Sequence, residues 1–266
     1  MNKIFLFSPT GRVGSRLFKG LVQQGYEVFY KTRKENTLVE SVKVDLCIYT
    51  AGITADRHER TAKYLVDNAQ TALEIVKLCA KHSIDKIIYL SSDEIYGELV
   101  TDNLNISSDK VNLNVYAMTK LISERLIIES GMQYNILRLP GIVGAEAADT
   151  FLERTINKML VGDEIDCYFV NRDFNNVVHL DDLLAFIIKL TLIEWDSSHI
   201  LHLGQQKAVK LLDVLEYIKN KTKSHSPVCQ QHNGKRYFLL PTSKAEKLGY
   251  KSRGIYKIID ELIDAR

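Results

Sequence analysis

Within the first twenty-two residues a short apolar run is followed by a tight turn holding two glycines and then by an amphipathic helix. No other feature of the sequence limits the fold as much. Ile4-Phe5-Leu6-Phe7 reads as a strand, Thr10-Gly11-Arg12-Val13-Gly14 as the turn, and Leu17, Leu21 and Val22 recur at helical spacing. A strand, a glycine turn and a helix in that order place unsatisfied helix N–H groups where a pyrophosphate can sit. Thr10, Gly11, Arg12, Val13 and Gly14 are therefore the expected cofactor-binding turn. A Gly-x-x-Gly-x-x-Gly version would begin at Ser8, so the backbone there carries a side chain and Pro9 stiffens it. A weaker or repositioned grip on the cofactor is expected.

The second strand, Glu27 to Tyr30, runs into Lys31-Thr32-Arg33-Lys34. An acidic residue there would hold a ribose 2′-hydroxyl, whereas a basic cluster accepts a 2′-phosphate. The charge favours NADP(H) over NAD(H), with Arg33 the first ligand and Lys31 the next. Residues 35 to 43 leave room for one short helix before the buried strand Val44 to Tyr49. One strand fewer than in a full Rossmann half is expected, with a poorer adenine pocket. Ala51-Gly52 ends that strand on the pyrophosphate and nicotinamide side. Residues 58 to 82 read as a long helix with Leu65, Val66, Ala69, Leu73, Val76 and Ala80 on one face. Ile84 to Leu90 is a buried strand that ends in Ser91-Ser92-Asp93-Glu94-Ile95-Tyr96-Gly97, at the strand end where an α/β sheet carries its chemistry. The alternation predicts an α/β fold with a doubly wound parallel sheet.

Further along, Tyr116 and Lys120 stand four apart and meet on one helix face, where an ammonium favours the ionised phenol. Tyr116 is thereby a candidate proton donor and acceptor. Charge argues against other classes: 35 Lys+Arg against 33 Asp+Glu give no basic field for nucleic acid or an acidic membrane. Cys47, Cys79, Cys167 and Cys229 are scattered through mostly apolar runs and read as buried thiols, not as disulfides or a metal site. No apolar run reaches membrane-spanning length and the chain enters a strand after three residues, so a cytoplasmic location is expected.

Five segments in this order resemble the extended short-chain dehydrogenase/reductases, the NAD-dependent epimerase/dehydratase family of sugar-nucleotide enzymes. They are Thr10 to Gly14, Ser91 to Gly97, Tyr116 to Lys120, Arg138-Leu139-Pro140-Gly141-Ile142-Val143-Gly144, and Arg172-Asp173-Phe174 through Val178-His179-Leu180-Asp181-Asp182. The resemblance implies that Ser92 bonds the reacting sugar oxygen, with Ser91 its nearest rival, that Tyr116 is the acid/base, and that Lys120 holds the nicotinamide ribose. It implies a diphosphate ligand at Arg172, whose rival role is an ion pair with Asp173 or Asp181. His179, inside an apolar run, reads as a core residue. The words around Thr10 to Gly14 and Tyr116 are similar to dTDP-4-dehydrorhamnose reductases, whereas Asp93-Glu94 looks like the acid/base pair of nucleotide-sugar 4,6-dehydratases.

The division expected is a Rossmann dinucleotide domain over 1–162 and a mainly substrate-binding C-terminal lobe over 163–266, with helix 181–192 and strand 200–203 packing back onto the first. Helix 211–221 and a helix capped by Ser243 are expected in the lobe. The favoured function is NADPH-dependent reduction of an NDP-4-keto-6-deoxyhexose. The alternatives are an NDP-sugar epimerase or 4,6-dehydratase with retained NAD, and a non-catalytic dinucleotide-binding regulatory subunit. A nucleotide-sugar substrate and a homodimer through the helix bearing Tyr116 complete the expectations.

Overall fold

The computed structural model describes residues 3–32, 34–39, 42–54, 59–144, 149–232, 234 and 236–266. In chain order its elements are β1 (Lys3–Phe7), α1 (Arg12–Gln23), β2 (Glu27–Lys31), β3 (Leu46–Tyr49), α2 (Thr61–Tyr64), a π-helical turn (Leu65–Gln70), α3 (Thr71–Lys81) and β4 (Lys86–Ser92). A 3₁₀ turn (Asp93–Tyr96), α4 (Val115–Glu129), β5 (Gln133–Leu139), β6 (Gly141–Val143), α5 (Phe151–Val161), β7 (Ile165–Tyr168), β8 (Asp173–Phe174) and β9 (Val177–His179) follow. The rest is α6 (Leu180–Leu192), β10 (His199–His202), β11 (Val209–Lys210), α7 (Leu211–Thr222), β12 (Val228–Gln231), α8 (Ser243–Lys247) and α9 (Ile255–Asp264).

The chain divides into two compact units, one made of Met1–Gly97, Asn112–Arg138 and Leu184–Leu201, the other of Glu98–Val111, Leu139–Leu183 and His202–Arg266. The first is built on a six-stranded sheet in the order β10-β5-β4-β3-β1-β2, with β1 parallel to both β2 and β3, and β3 parallel to β4. The chain passes from β1 outward to β2 and then returns to the other side of β1, so the strand order reverses there. That reversal opens a crevice beyond the carboxyl ends of β1 and β3. Among the described residues no further strand of this sheet lies beyond β2, as the short 31–44 interval implies; the edge of β2 is met instead by an isolated Lys31–Asn36 bridge and by Thr37 N–H donating to the Tyr30 carbonyl.

Apolar side chains cover both sheet faces, as parallel strands require. Phe5, Cys47, Tyr49, Ile87 and Tyr89 pack with Ala72, Ile75, Cys79 and Ile127 on one side. Leu17, Leu21, Phe186 and Ile187 are likewise buried. The second unit has its own core, in which Leu152, Ile156, Val214, Leu215, Ile218, Ile258, Ile259 and Leu262 join α5, α7 and α9. Cys47, Cys79 and Cys167 are buried and Cys229 is half-buried, all four as free thiols.

Three local expectations are corrected. The buried stripe of the helix over 61–81 is Tyr64, Asn68, Ala72, Ile75 and Cys79, whereas Leu65 and Val66 are 45% and 51% exposed and Leu73 is exposed. Both faces of this segment carry apolar residues, and periodicity alone selects the wrong one. The described residues between β2 and β3 hold no helix: Thr32 Oγ1 accepts the N–H groups of Lys34 and Glu35, and Thr37 bonds back to Tyr30. Local hydroxyl bonds there occupy the backbone donors. Finally, Thr242, not Ser243, precedes the first turn of α8.

Candidate active site

The nucleotide end is set by close backbone approach. A Cβ on Gly14 would lie 2.0 Å from the Ser8 carbonyl oxygen, so the start of α1 can reach the end of β1 only with glycine at 14. Thr50 Oγ1 donates to the carbonyls of Phe7 (2.9 Å) and Ser8 (3.2 Å), locking the ends of β1 and β3 together. Thr10, Gly11 and Arg12 are exposed, Val13 is half-buried and Gly14 is buried. Gly11 caps α1 without a side-chain bond, and the first turn has no acidic residue. The helix start therefore presents uncapped N–H groups at the crevice, which fits a dinucleotide pyrophosphate.

Ser8 sits at φ +70°, the left-handed region that glycine adopts without cost. Its hydroxyl lies 3.7 Å from where a Cβ on Gly11 would stand. Ser8→Gly is expected to raise unfolding stability by up to about 1 kcal/mol and to tighten dinucleotide binding several-fold. Thermal melts with and without cofactor, beside calorimetric titration, check this; a weaker cofactor complex would show instead that the Ser8 hydroxyl is a ligand.

Lys31 ends β2, and its carbonyl accepts from Ser8 N–H at 2.9 Å. Arg33, the first choice for a 2′-phosphate, lies outside the described residues. Sequence reading missed Glu35, which the Thr32 turn folds back so that its carboxylate bonds the Tyr30 hydroxyl and raises the pKa of that phenol.

The chemical end lies on β4 and α4, which pack together and against the Asp93–Tyr96 turn. Asn114 caps α4 by accepting from Ala117 N–H at 2.8 Å, and Tyr116 follows in the first turn, 8% exposed with its ring 6.1 Å from that of Tyr64. One turn on, Lys120 is 5% exposed. Its ammonium donates to the Leu90 carbonyl at 2.6 Å, stands 4.6 Å from the centre of the Tyr89 ring, and lies 3.6 Å from where a Cβ on Gly52 would be. Burial pulls its pKa down from 10.5 to about 7, against the pull of Glu124 in the other direction. Lys120 and the Ala51-Gly52 loop thus come together, although the sequence separates them by 68 residues.

Ser91 and Ser92 are distinguished by their partners. The Ser91 hydroxyl donates to Glu124 Oε1 at 2.5 Å and is consumed inside the protein. Ser92 Oγ accepts the Glu94 N–H at 3.1 Å, so its own proton can be given to a substrate oxygen. Asp93 is buried and Glu94 half-buried in the turn that Ser92 caps. A further residue, Asn68, escaped sequence reading. It is 1% exposed in the π-helical turn; its amide donates to Thr119 Oγ1 (3.0 Å) and accepts from Ile53 N–H (2.8 Å), tying the loop after Gly52 to α4 beside Lys120. Its only sequence signal is a polar residue one turn after Tyr64.

Arg172 belongs to the second unit. Its guanidinium bonds Asp102 Oδ1 at 2.8 Å and covers the Tyr237 ring at 5.3 Å, so its ion-pair partner is Asp102 and neither Asp173 nor Asp181. His179 is buried there: its Nδ1 accepts from Asp181 N–H, a Cβ on Gly144 would meet its ring, and burial lowers its pKa. Among the described residues no group of His, Cys, Asp and Glu is arranged to hold a metal, and no helix is long and apolar enough to cross a membrane.

A doubly wound sheet with an uncapped helix start at its switch point and a buried Tyr-Lys pair beside it defines a Rossmann-type oxidoreductase architecture. A family model, the NAD dependent epimerase/dehydratase family, matches residues 9–196, and the chain belongs to that family of enzymes. It is 22% identical over 204 residues to the dTDP-D-glucose 4,6-dehydratase of Dictyostelium discoideum, a match that covers 69% of this chain but only 46% of the dehydratase. Two solved structures share the fold. MoeE5 in complex with UDP-glucuronic acid and NAD superposes with a TM-score of 0.80 at 18% identity, covering 99% of this chain and 98% of that one. RMD from Pseudomonas aeruginosa complexed with NADPH superposes at 0.76 and 16% identity, covering 100% of both.

Proposed function

We propose that the chain reduces a nucleotide-linked 4-keto-6-deoxy sugar, using a nicotinamide dinucleotide that is exchanged at each turnover, NADPH in preference to NADH. The observation that carries the oxidoreductase reading is the buried Lys120 ammonium beside Gly52 and one turn from Tyr116. When bound, the nicotinamide supplies the hydride. Tyr116 gives its phenolic proton to the oxygen that gains charge at the reacting carbon, and Ser92 holds that oxygen with its hydroxyl proton. Lys120 holds the ribose and favours the phenolate left behind.

Exchange of the cofactor is supported by two features that loosen its grip, the positive φ at Ser8 and, among the described residues, the lack of a further strand beyond β2. Lys31 and Lys34 support a 2′-phosphate, since the nearby Glu35 carboxylate is already engaged by Tyr30. The second reading is an epimerase or 4,6-dehydratase with retained NAD and Glu94 as the C5 base. The partial match to a dehydratase and the buried Asp93 beside Glu94 favour it. A homodimer is part of the proposal: Leu65, Val66 and Leu73, with Met118 and Ile122 on α4, are exposed apolar side chains on the two helices that would pair.

The test is the absorbance and mass of any nucleotide released when the purified protein is denatured, followed by titration of the protein with NADPH and NADH. An empty protein that binds NADPH about tenfold more tightly than NADH is expected, as one added phosphate contact is worth that much. Stoichiometric bound NAD would overturn the reductase reading in favour of Glu94 chemistry. Light scattering on the same sample is expected to give twice the 30.3 kDa chain mass, and a monomer would remove the dimer.

A further inference from the structure

Four polar side chains from four successive elements of the first unit meet in a buried cluster that the proposed chemistry does not use. Arg138 on β5 and Glu124 on α4 form a two-pronged ion pair, Nε to Oε1 at 3.1 Å and Nη2 to Oε2 at 2.8 Å, with both residues at most 3% exposed. The third guanidinium nitrogen donates to the Tyr96 hydroxyl at 2.6 Å. Glu124 Oε1 accepts from Ser91 at 2.5 Å. Ser91 and Tyr96 bracket the turn that holds Ser92, Asp93 and Glu94, while Glu124 lies one turn beyond Lys120 and two beyond Tyr116 on the same helix stripe.

A buried ion pair is weak evidence for stability, because desolvation offsets most of the attraction and apolar replacements of like volume are often as stable. What this pair does provide is geometry: a planar fork with fixed directions, one arm on α4 and one on the turn. We propose that Glu124 and Arg138 are positioning residues, which hold both ends of the Ser91 to Tyr96 segment and so fix Ser92 and Glu94 relative to Tyr116 and Lys120. The proposal rests on the assignment of those residues given above.

Tyr96→Phe and Ser91→Ala each cut one arm and leave the ion pair intact, and the double variant Glu124→Leu with Arg138→Met replaces the pair by apolar volume. Three readouts are followed in full-length protein: turnover with its KM, cofactor affinity, and hydrogen exchange at the amides of Glu94 and Gly97. For the single variants kcat is expected to fall about tenfold or more with KM and cofactor affinity within about twofold, and the two amides to exchange about tenfold faster. Ser91→Thr, which keeps the hydroxyl, is expected to restore both. Turnover within about twofold of the parent in Tyr96→Phe and in a folded double variant would overturn the proposal, whatever the exchange rates. Should the parent protein turn over no nucleotide sugar, the function reading falls while exchange still decides: faster exchange keeps the pair as the clamp of the turn, and unchanged exchange discards it.

Discussion

Tyr116→Phe is expected to lower turnover by about three orders of magnitude, the upper range for loss of a positioned acid/base, while dinucleotide affinity stays within about threefold. The phenol is the one group in the first turn of α4 able to give and take a proton, and its ring packs against that of Tyr64 on the helix stripe of Lys120. Removing the hydroxyl leaves the ring, so the packing that seats α4 is kept and the melting temperature is expected to change little. Steady-state kinetics on a keto-sugar nucleotide, with fluorescence titration of the cofactor, separate the two effects. Turnover retained within tenfold would move the proton donor elsewhere, with Glu94 next in line. Cofactor binding unchanged in a protein without turnover before the substitution would leave the regulatory-subunit reading standing.

What the sequence made legible was what depends on neighbours in the chain. The strand, glycine turn and helix at 4–22 are local, and so are the Tyr116–Lys120 spacing and the polar end of β4. That the sheet has no strand beyond β2 among the described residues was legible from counting, because the interval between Lys31 and Val44 is too short for one with its connections. Most of the parts that stayed hidden depend on partners distant in sequence. Arg138 opens one of the five family segments, but its pairing with Glu124 is invisible until α4 and β5 are packed. Arg172 finds Asp102, seventy residues away, where nearer aspartates seemed the natural partners. Asn68 is indistinguishable from the exposed polar residues around it, since the helix carries apolar side chains on both faces and the π-helical turn sets which face is turned inward. Glu35 comes back beside Tyr30 only because Thr32 takes the N–H groups that a helix would have used.

Lys120→Met is expected to abolish most turnover and, in cofactor-free protein at pH 6, to raise stability. The ammonium is buried beneath the Ala51-Gly52 loop with one carbonyl and one aromatic face for company, and burial lowers its pKa to about 7 from an unfolded value near 10.5. Below pH 7 the lysine is charged in both states, so the full cost of burying the charge falls on the folded protein. Between about 7 and 10.5 the unfolded chain binds the proton and the folded one does not, so unfolding free energy rises with pH across that window. Above it the penalty is gone. The drop from 10.5 to about 7 corresponds to roughly 5 kcal/mol at most, and the lost bond to Leu90 and contact with Tyr89 take back about half. A gain of about 2 kcal/mol, or roughly 4–8 °C, is therefore expected for Lys120→Met at pH 6, shrinking steadily toward pH 10. Paired melts of the two proteins from pH 6 to pH 9.5 measure it. A difference that is flat with pH, or that grows toward alkaline pH, would mean that the folded protein keeps Lys120 charged throughout, and the ammonium would then be paired in the free enzyme rather than waiting for the ribose and the phenolate.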